Sequence, residues 1–353
     1  MDQNDKTRKL LSEHYQKYPC LQVTDIFKYI FQSSFGCEHM VSSLDFVTDY
    51  IRRESENCAD SEELVDTLDG AYARVHLSYL KRGLSINTLA KLFFMSAKSE
   101  PNGKSELEQK LLVARELVLE GKLPFSACDF DTSVETWKVM GYPAVHHSET
   151  FREKYKPSYR VVADKYVPFL PLFAKLDKAL ENGRVILAID GGSASGKSTL
   201  GAMLESIYDC TLFHMDDFFL RPEQRTKERF LEIGGNVDRE RFLDEVLIPM
   251  SRGEAVNYRR FDCSTFTLEK PRMTVTKKLT VIEGAYSMHT ELSGFYNMSL
   301  FLDVDPKTQR ARIEKRNPGA MAKRFFDEWI PLEVTYFEKM QVKDRCDMCI
   351  TIK

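Results

Sequence analysis

The sequence predicts an α/β protein in which a parallel sheet covered by helices is preceded by a mainly α-helical N-terminal domain. Up to about residue 178, apolar side chains recur at helical spacing, whereas short apolar runs alternate with helical segments further on. Such alternation is typical of parallel strands joined by right-handed crossovers. A length of 353 residues also favours two domains, which we place at 1–178 and 179–353.

Composition places the chain among ordinary globular proteins. Hydrophobic residues make up 43% and charged residues 29%, and a formal net charge of −3 gives no reason to expect nucleic acid as a partner. No apolar run approaches the roughly 20 residues that span a bilayer, and the polar first residues lack the apolar region of a secretory signal. The eight scattered cysteines fit reduced thiols. We therefore expect a cytoplasmic protein with no membrane partner.

Three polar segments, at residues 35–39, 73–76 and 144–160, interrupt the helical pattern of the N-terminal domain. They hold four of the seven histidines. Two interpretations stay open: the segments line a second ligand pocket, or their histidines are hydrogen-bonded structural residues at helix ends. No H-x-x-x-H spacing is present, so a defined metal centre is not supported. The side chains of the hypothetical pocket are His39, Arg74, His76, His146, His147 and Arg160.

A glycine-rich loop follows the first predicted strand of the C-terminal domain, residues 185–189. Its sequence fits the Walker A spacing G-x-x-x-x-G-K-[ST], with a helix-forming stretch behind it. Glycines let the backbone wrap an anion, so that N–H groups and the helix dipole face the phosphates. Lys197 can reach the β- and γ-phosphates, and Ser198 can offer its hydroxyl to Mg²⁺. The predicted nucleotide-binding loop is Gly191, Gly192, Ser193, Ala194, Ser195, Gly196, Lys197, Ser198 and Thr199.

Acidic residues stand at the ends of two further predicted strands. Because ligands of open α/β sheets bind at the carboxyl ends of the strands, Asp216, Asp217 and Glu283 are candidates for binding Mg²⁺ or accepting a proton. The alternatives are a turn-capping role for either aspartate and a solvated Glu283. Neither an N-K-x-D motif nor a D-E pair after the strand is present, which favours a kinase over a GTPase or a motor ATPase. The later predicted strands are residues 211–215, 279–283, 299–304 and 348–352.

A basic helix follows the strand that ends near residue 304. Arg312 and Arg316 lie four positions apart and therefore on one helix face. Cations that close over transferring phosphates stabilise the charge of the transition state. Residues 317–319, Asn-Pro-Gly, break the helix, as suits a mobile lid. The alternative is an ordinary solvated helix face.

Together these motifs resemble the uridine kinase-like P-loop kinases, a group that includes uridine-cytidine, nicotinamide riboside and pantothenate kinases and phosphoribulokinase. The resemblance covers residues 183–353, about half the chain. It rests on GGSASGKST, HMDDFF followed by Arg-Pro, GGNVDRERF, VIEGAY and the basic segment before EWIPLEVTYFE. It implies a P-loop NTPase fold, with ATP as phosphate donor.

The resemblance also implies roles for individual residues. Asp216 matches the acid that lies next to the acceptor hydroxyl as its base, and Glu283 matches the strand-end glutamate. Asp238 is similar in context to the acid that contacts ribose hydroxyls in nucleoside kinases. Arg312 and Arg316 fall near the arginines of the lid.

One segment departs from the family. Uridine kinases read the pyrimidine with a tyrosine and, a few residues on, a histidine, but residues 258–266 contain no histidine. The resemblance therefore implies a small hydroxyl compound as acceptor and does not imply uridine. The predicted acceptor-binding residues are Asp216, Phe219, Asp238, Tyr258 and Arg259.

The sequence thus predicts an ATP- and Mg²⁺-dependent phosphotransferase that moves the γ-phosphate to a hydroxyl of a small nucleoside-like, sugar-like or vitamin-like metabolite. Two alternatives stay open: a nucleotide-gated regulatory protein, and a bifunctional enzyme with a second site in the N-terminal domain. The acceptor and the oligomeric state, homo-oligomer included, do not follow from the sequence. The predicted catalytic residues are Lys197, Asp216, Arg312 and Arg316, and the predicted metal ligands are Ser198, Asp216 and Glu283.

Overall fold

The computed structural model describes residues 2–37, 41, 43–58, 60–97 and 103–352, which form two compact units, Met1–Asp177 and Lys178–Lys353. The helices are α1 (Gln3–Lys17), α2 (Val23–Phe35), α3 (Leu44–Ser55), α4 (Ile86–Ala97), α5 (Gly103–Leu119), α6 (Ala127–Val139), α7 (Glu149–Tyr155), α8 (Leu170–Asn182), α9 (Lys197–Ile207), α10 (Lys227–Leu231), α11 (Arg239–Phe242), α12 (Ile248–Ser251), α13 (Pro306–Arg316), α14 (Ala320–Arg324), α15 (Ile330–Lys339) and α16 (Val342–Arg345). The strands are β1 (Val65–Thr67), β2 (Tyr72–His76), β3 (Tyr159–Ala163), β4 (Val185–Gly191), β5 (Cys210–His214), β6 (Val256–Tyr258), β7 (Phe261–Asp262), β8 (Thr267–Leu268), β9 (Arg272–Thr274), β10 (Leu279–Glu283), β11 (Met298–Val304) and β12 (Met348–Ile352).

The N-terminal unit is mainly helical, as predicted, but it also contains a small antiparallel sheet that the sequence pattern did not indicate. Strand β2 is central and pairs with both β1 and β3. It carries Arg74, which is only 1% exposed. The guanidinium donates from Nε to Gln32 Oε1 at 2.9 Å and lies 4.7 Å from the centre of the Tyr159 ring. These partners come from distant segments of the chain. In the local sequence, Arg74 therefore interrupts the apolar pattern that would predict a buried strand.

The C-terminal unit confirms the predicted α/β architecture. Five parallel strands are ordered β12-β11-β4-β10-β5, and all the predicted strands occur within two residues of their expected ends. Val281 and Ile282 of β10 are fully buried, as expected for a strand with neighbours on both edges and helices on its faces. In the register, Glu283 pairs with Ile189 of β4 and with His214 of β5. The carboxyl ends of these three strands therefore meet beside the glycine-rich loop.

The remaining elements of this unit follow β5 and β11 in the chain. Two short antiparallel ribbons, β6–β9 and β7–β8, lie in the segment between β5 and β10. Helix α13 ends at the predicted break, residues 317–319, and α14 leads through a π-helical turn, Phe325–Trp329, into α15.

Among the helices of the described part of the chain, none combines the length and apolarity that crossing a bilayer requires.

A buried histidine makes the N-terminal unit sensitive to acid. The ring nitrogens of His147 are 2.9 Å from Asp25 Oδ1 and 2.7 Å from the Tyr159 hydroxyl, and the ring stacks on Phe151 at 4.1 Å. Burial lowers the pKa of His147 from its ordinary value of 6.5 to about 4. In the unfolded chain this histidine binds a proton below pH 6.5, whereas in the folded unit it does so only near pH 4.

We therefore expect the unfolding free energy of this unit to be fully retained above pH 6.5 and to fall as the pH drops from 6.5 towards 4. The loss from pH 7 to pH 5 is about 2 kcal/mol for this one group. Hydrogen exchange of β3 amides at several pH values measures it. His147→Asn, which cannot titrate, should flatten the profile, while the exposed His146→Asn should not. An unchanged slope in His147→Asn contradicts the assignment.

Candidate active site

The glycine-rich loop between β4 and α9 has the backbone of an anion cradle. Gly191 has φ of 147°, and a Cβ built on it would lie 2.3 Å from the carbonyl oxygen of Leu302 on the neighbouring strand. Gly196 has φ of 102°, and no described atom beyond its neighbours in the chain lies within 4 Å of its Cβ position. Gly191 is required because a Cβ would collide with the neighbouring strand. Gly196 is required because its backbone conformation is one that other residues rarely adopt. The first amides of α9, which have no intrahelical acceptor, line this cradle.

Two side chains inside the loop fit a bound anion. Lys197 donates from Nζ to the carbonyl oxygens of Gly191 at 2.7 Å and Gly192 at 3.0 Å. The Ser195 hydroxyl is fully buried and has no hydrogen-bond partner within the described structure. An ammonium held over the loop and an unsatisfied buried hydroxyl are donors that phosphate oxygens can satisfy. The residues of the loop therefore suit a nucleotide's phosphates.

Helices α13 and α15 hold the loop from its outer side. The buried Glu333 accepts hydrogen bonds from the Ser193 amide at 2.8 Å and the Ser193 hydroxyl at 2.6 Å. Gln309 donates to the Ser193 carbonyl oxygen at 2.9 Å, and Arg312 donates to the Ala194 carbonyl oxygen at 3.2 Å. Sequence reasoning missed Glu333 and Gln309. The only signal in the sequence is that Glu333 belongs to the EWIPLEVTYFE segment, which forms part of the resemblance to the kinase family.

The two predicted lid arginines occupy different surroundings. Arg312 contacts the loop, as described above, so its guanidinium already lies beside the phosphate cradle. Arg316 is exposed, and its guanidinium lies 5.8 Å from the centre of the Phe325 ring. Among the described contacts, Arg316 makes none with the phosphate loop. Its predicted role requires that the α13–α14 segment move, as expected for a lid.

The strand-end glutamate is buried and paired. Glu283 is 3% exposed, and His214 donates from Nδ1 to its Oε1 at 2.5 Å, as their opposed positions in the register allow. This hydrogen bond raises the pKa of His214. A Cβ on Gly201 would lie 3.4 Å from the Glu283 Cγ, so the glutamate packs beside the first turns of α9. His214 is a partner that the sequence motifs did not indicate.

The structure distinguishes the two neighbouring aspartates. Asp217 is 5% exposed, and Arg260 donates from Nε to its Oδ1 at 2.8 Å. Asp216 is exposed to solvent, and its carboxylate has no hydrogen bond or ion pair among the contacts described. The surrounding protein nevertheless raises the pKa of Asp216 by desolvation, with Lys197 opposing this effect and Glu283 adding to it. Asp216 is thus the accessible acid, and it lies in the field of the phosphate-loop lysine.

Two of the predicted acceptor-binding residues have structural partners. Asp238 is 2% exposed, caps α11 through the Arg241 amide at 3.2 Å, and accepts a 3.3 Å hydrogen bond from Arg241 Nε. The Tyr258 ring is 8% exposed and lies 5.8 Å from the centre of the Phe218 ring in a stacked arrangement. These contacts give Asp238 and Tyr258 roles in packing that the sequence alone did not predict.

Two further predicted acceptor-binding residues, besides Asp216, are more accessible. Arg259 is exposed and bonds to Glu245, through its amide at 3.0 Å and its guanidinium at 3.3 Å. Phe219 is half-buried and forms a single antiparallel bridge with Val237. Acceptor binding by all four residues remains a prediction.

The oxygen donors near the loop fit magnesium. Ser198, Asp216 and Glu283 supply a hydroxyl and two carboxylates, the hard ligands that Mg²⁺ prefers. Within the described ranges, no group of three or more His, Cys, Asp or Glu side chains is arranged to hold a metal by itself. Mg²⁺ ordinarily binds through one or two carboxylates together with water and nucleotide phosphates, which matches a site of this kind.

We expect Glu333→Ala to loosen the phosphate loop. The substitution leaves the amide and hydroxyl of Ser193 without their acceptor, at a cost of about 2 kcal/mol. Amide exchange at residues 191–196 should then accelerate by roughly 30-fold if it occurs through local opening. Hydrogen exchange followed by mass spectrometry measures it. Glu338→Ala, an exposed glutamate of the same helix, is the matched control; equal exchange in both variants would show that Glu333 does not hold the loop.

Similar solved structures are found for about half of the chain. No protein-family model matches the chain, and no curated protein matches it significantly. A possible uridine kinase from Bacillus stearothermophilus is 20% identical, covering 51% of this chain and 98% of its own, with a TM-score of 0.39. A candidate fructose transport system kinase from Silicibacter sp. TM1040 is 22% identical over 47% and 89%, with a TM-score of 0.39. Shikimate kinase from Bacteroides thetaiotaomicron is 15% identical over 47% and 85%, with a TM-score of 0.24.

Proposed function

We propose that this chain is a kinase that uses ATP and Mg²⁺ to phosphorylate a hydroxyl of a small metabolite. The observation that carries the proposal is the accessible carboxylate of Asp216 in the field of Lys197 and Glu283, beside a loop shaped for phosphates. A protein that only bound nucleotide would need the loop but not an acid at this position. The fold of the similar structures is compatible with this proposal.

In this mechanism, positioning and charge supply most of the catalysis. The loop amides and Lys197 hold the β- and γ-phosphates, and the ammonium exchanges its loop carbonyls for phosphate oxygens. Arg312, at the Ala194 carbonyl, adds positive charge at the same edge of the loop. Ser198 and Glu283 would hold Mg²⁺, which would supply positive charge against the phosphates. Phosphoryl transfer is thereby confined to the face of the loop that these side chains line.

Asp216 acts on the acceptor. Its carboxylate accepts the proton of the acceptor hydroxyl, or orients that hydroxyl, as the oxygen bonds to the γ-phosphorus and the bond to the β-phosphate oxygen breaks. Desolvation raises the pKa of Asp216, which makes the carboxylate a better proton acceptor. Asp217 is occupied by Arg260 and stays out of the reaction.

A substrate screen tests the proposal. The full chain is incubated with Mg²⁺ and isotopically γ-labelled ATP in the presence of pooled nucleosides, sugars and vitamins, and products are analysed by mass spectrometry. A product carrying the label, lost in Lys197→Ala, is the expected result. The absence of any labelled product, combined with nucleotide-dependent binding of a protein, would favour the regulatory alternative and overturn the kinase.

A further inference from the structure

The N-terminal unit contains a cavity of about 820 Å³, within the range of small-molecule sites. Of the six residues of the hypothetical second pocket, His146, His147 and Arg160 line it. Arg74 and His76 are not among its lining residues, because Arg74 packs behind Tyr159 and His76 pairs with Asp66 at 2.9 Å. His39 lies outside the described residues. Of the two interpretations left open by the sequence, the pocket is thus supported for three of its six residues, while the hydrogen bonds of His76 and His147 fit the structural interpretation.

The charged side chains among the described lining residues of the cavity are mainly basic. Among the described lining residues the one acid is Glu54, which accepts hydrogen bonds from Arg160 at 2.7 Å and Ser158 at 2.9 Å, so its charge is compensated. No further carboxylate among the described lining residues balances the charges of Lys28, Arg152 and Lys156. Such an excess of positive charge in a concave site attracts anions.

Lys28 is the deepest of these cations. It is 8% exposed, and its Nζ donates to the Val145 carbonyl oxygen at 3.1 Å, which leaves ammonium hydrogens for another acceptor. The nearby Asp25 is already satisfied by His147 and Ser148. A buried ammonium paired only with a carbonyl is costly for the fold unless an anion joins it.

A second buried cation, Arg74, lies behind the lining residues Tyr159 and Gln32. The Arg74 guanidinium is 1% exposed, and its Nη2 has no hydrogen-bond partner among the described atoms. It lies over Tyr159, and its Nε donates to Gln32; both residues line the cavity. Arg74 therefore adds a positive charge behind Tyr159 and Gln32, while Asp25 adds a negative charge near Lys28.

One wall of the cavity is aromatic. Phe46 and Tyr50 of α3 are 56% and 53% exposed, and their rings stack with centres 6.4 Å apart. Phe93 lies deeper, and the Arg160 guanidinium lies 5.1 Å from the centre of the Tyr50 ring. Exposed aromatic rings beside a cationic pocket are suited to a ligand with a flat body.

From this arrangement we propose that the N-terminal unit binds a small anionic aromatic metabolite, with its phosphate or carboxylate at Lys28 and its ring against Tyr50. The site is separate from the phosphate loop and does not depend on the kinase proposal. It supplies a physical basis for a second function in this chain.

Calorimetric titration of the full-length Lys197→Ala variant tests the site, because that substitution weakens the phosphate loop as a competing anion site. The probes are phenyl phosphate, phenylacetate and the uncharged benzyl alcohol. Binding of phenyl phosphate or phenylacetate at least tenfold tighter than of benzyl alcohol is expected, and the tighter of the two identifies the anion. Equal binding of all three, or no binding of either anion, would overturn the proposal.

Variants locate the site. Lys28→Met should weaken binding of the anion at least tenfold. Lys156→Met changes an exposed side chain and does not threaten folding, and it should weaken binding several-fold. Tyr50→Ala should weaken phenyl phosphate but not inorganic phosphate. Lys9→Met, on the surface of α1, is the control. If Lys156→Met and Tyr50→Ala both bind the anion like the control, the cavity is not the binding site. This conclusion would hold even if Lys28→Met lost binding.

Discussion

Replacing Asp216 by asparagine is expected to lower the turnover number about a thousandfold, within the range for loss of a general base. The dissociation constant for ATP should change little, because Asp216 touches neither the loop amides nor Lys197 through a described hydrogen bond. Asparagine keeps the size of the side chain but cannot take a proton. Steady-state kinetics with the acceptor found by the screen, together with ATP titration, separate the two effects.

The neighbouring acid provides the matched control. Asp217→Asn weakens the 2.8 Å contact with Arg260 and should reduce stability, while turnover stays within about tenfold of the parent. The two substitutions make the same chemical change one position apart. If Asp217→Asn has the larger effect on turnover, or if Asp216→Asn turns over normally, the roles of the two aspartates have been assigned wrongly.

The sheet and the loop could be predicted because their signals are local. A buried strand, a glycine-rich turn and the start of a helix follow one another in the sequence, and each leaves its own pattern. The antiparallel sheet of the N-terminal unit could not be predicted in this way. Its central strand contains Arg74, whose partners Gln32 and Tyr159 lie far away in the chain and become visible only when the unit folds.

The same limit applies to the site. The motif positions Asp216, Glu283 and Lys197 were identified from sequence, but the choice between Asp216 and Asp217 depends on Arg260, which lies 43 positions further on. Glu333 is 140 positions from Ser193, and nothing in the local pattern connects them. Sequence motifs thus predict which residues can take part in the chemistry. The folded chain decides which of them are already paired.

Replacing Lys197 by alanine is expected to weaken ATP binding about a hundredfold, since it removes charge-assisted hydrogen bonds worth about 1.5–3 kcal/mol each. The structure also limits the loss, because Lys197 must first give up its bonds to Gly191 and Gly192. Turnover should fall further than affinity, since the ammonium acts on charge that develops during transfer. Calorimetric ATP titration and kinetics measure the two effects.

Lys315→Ala is the control for this prediction. Lys315 is exposed on α13, in the basic segment that also contains Arg312, and its removal subtracts the same charge without touching the loop. If both variants bound ATP equally weakly, the nucleotide would be held by the general basic field and not by a specific ammonium. If Lys197→Ala bound ATP as the parent does, the loop would not be the phosphate site. From the geometry of the loop we expect that only Lys197→Ala loses affinity for ATP.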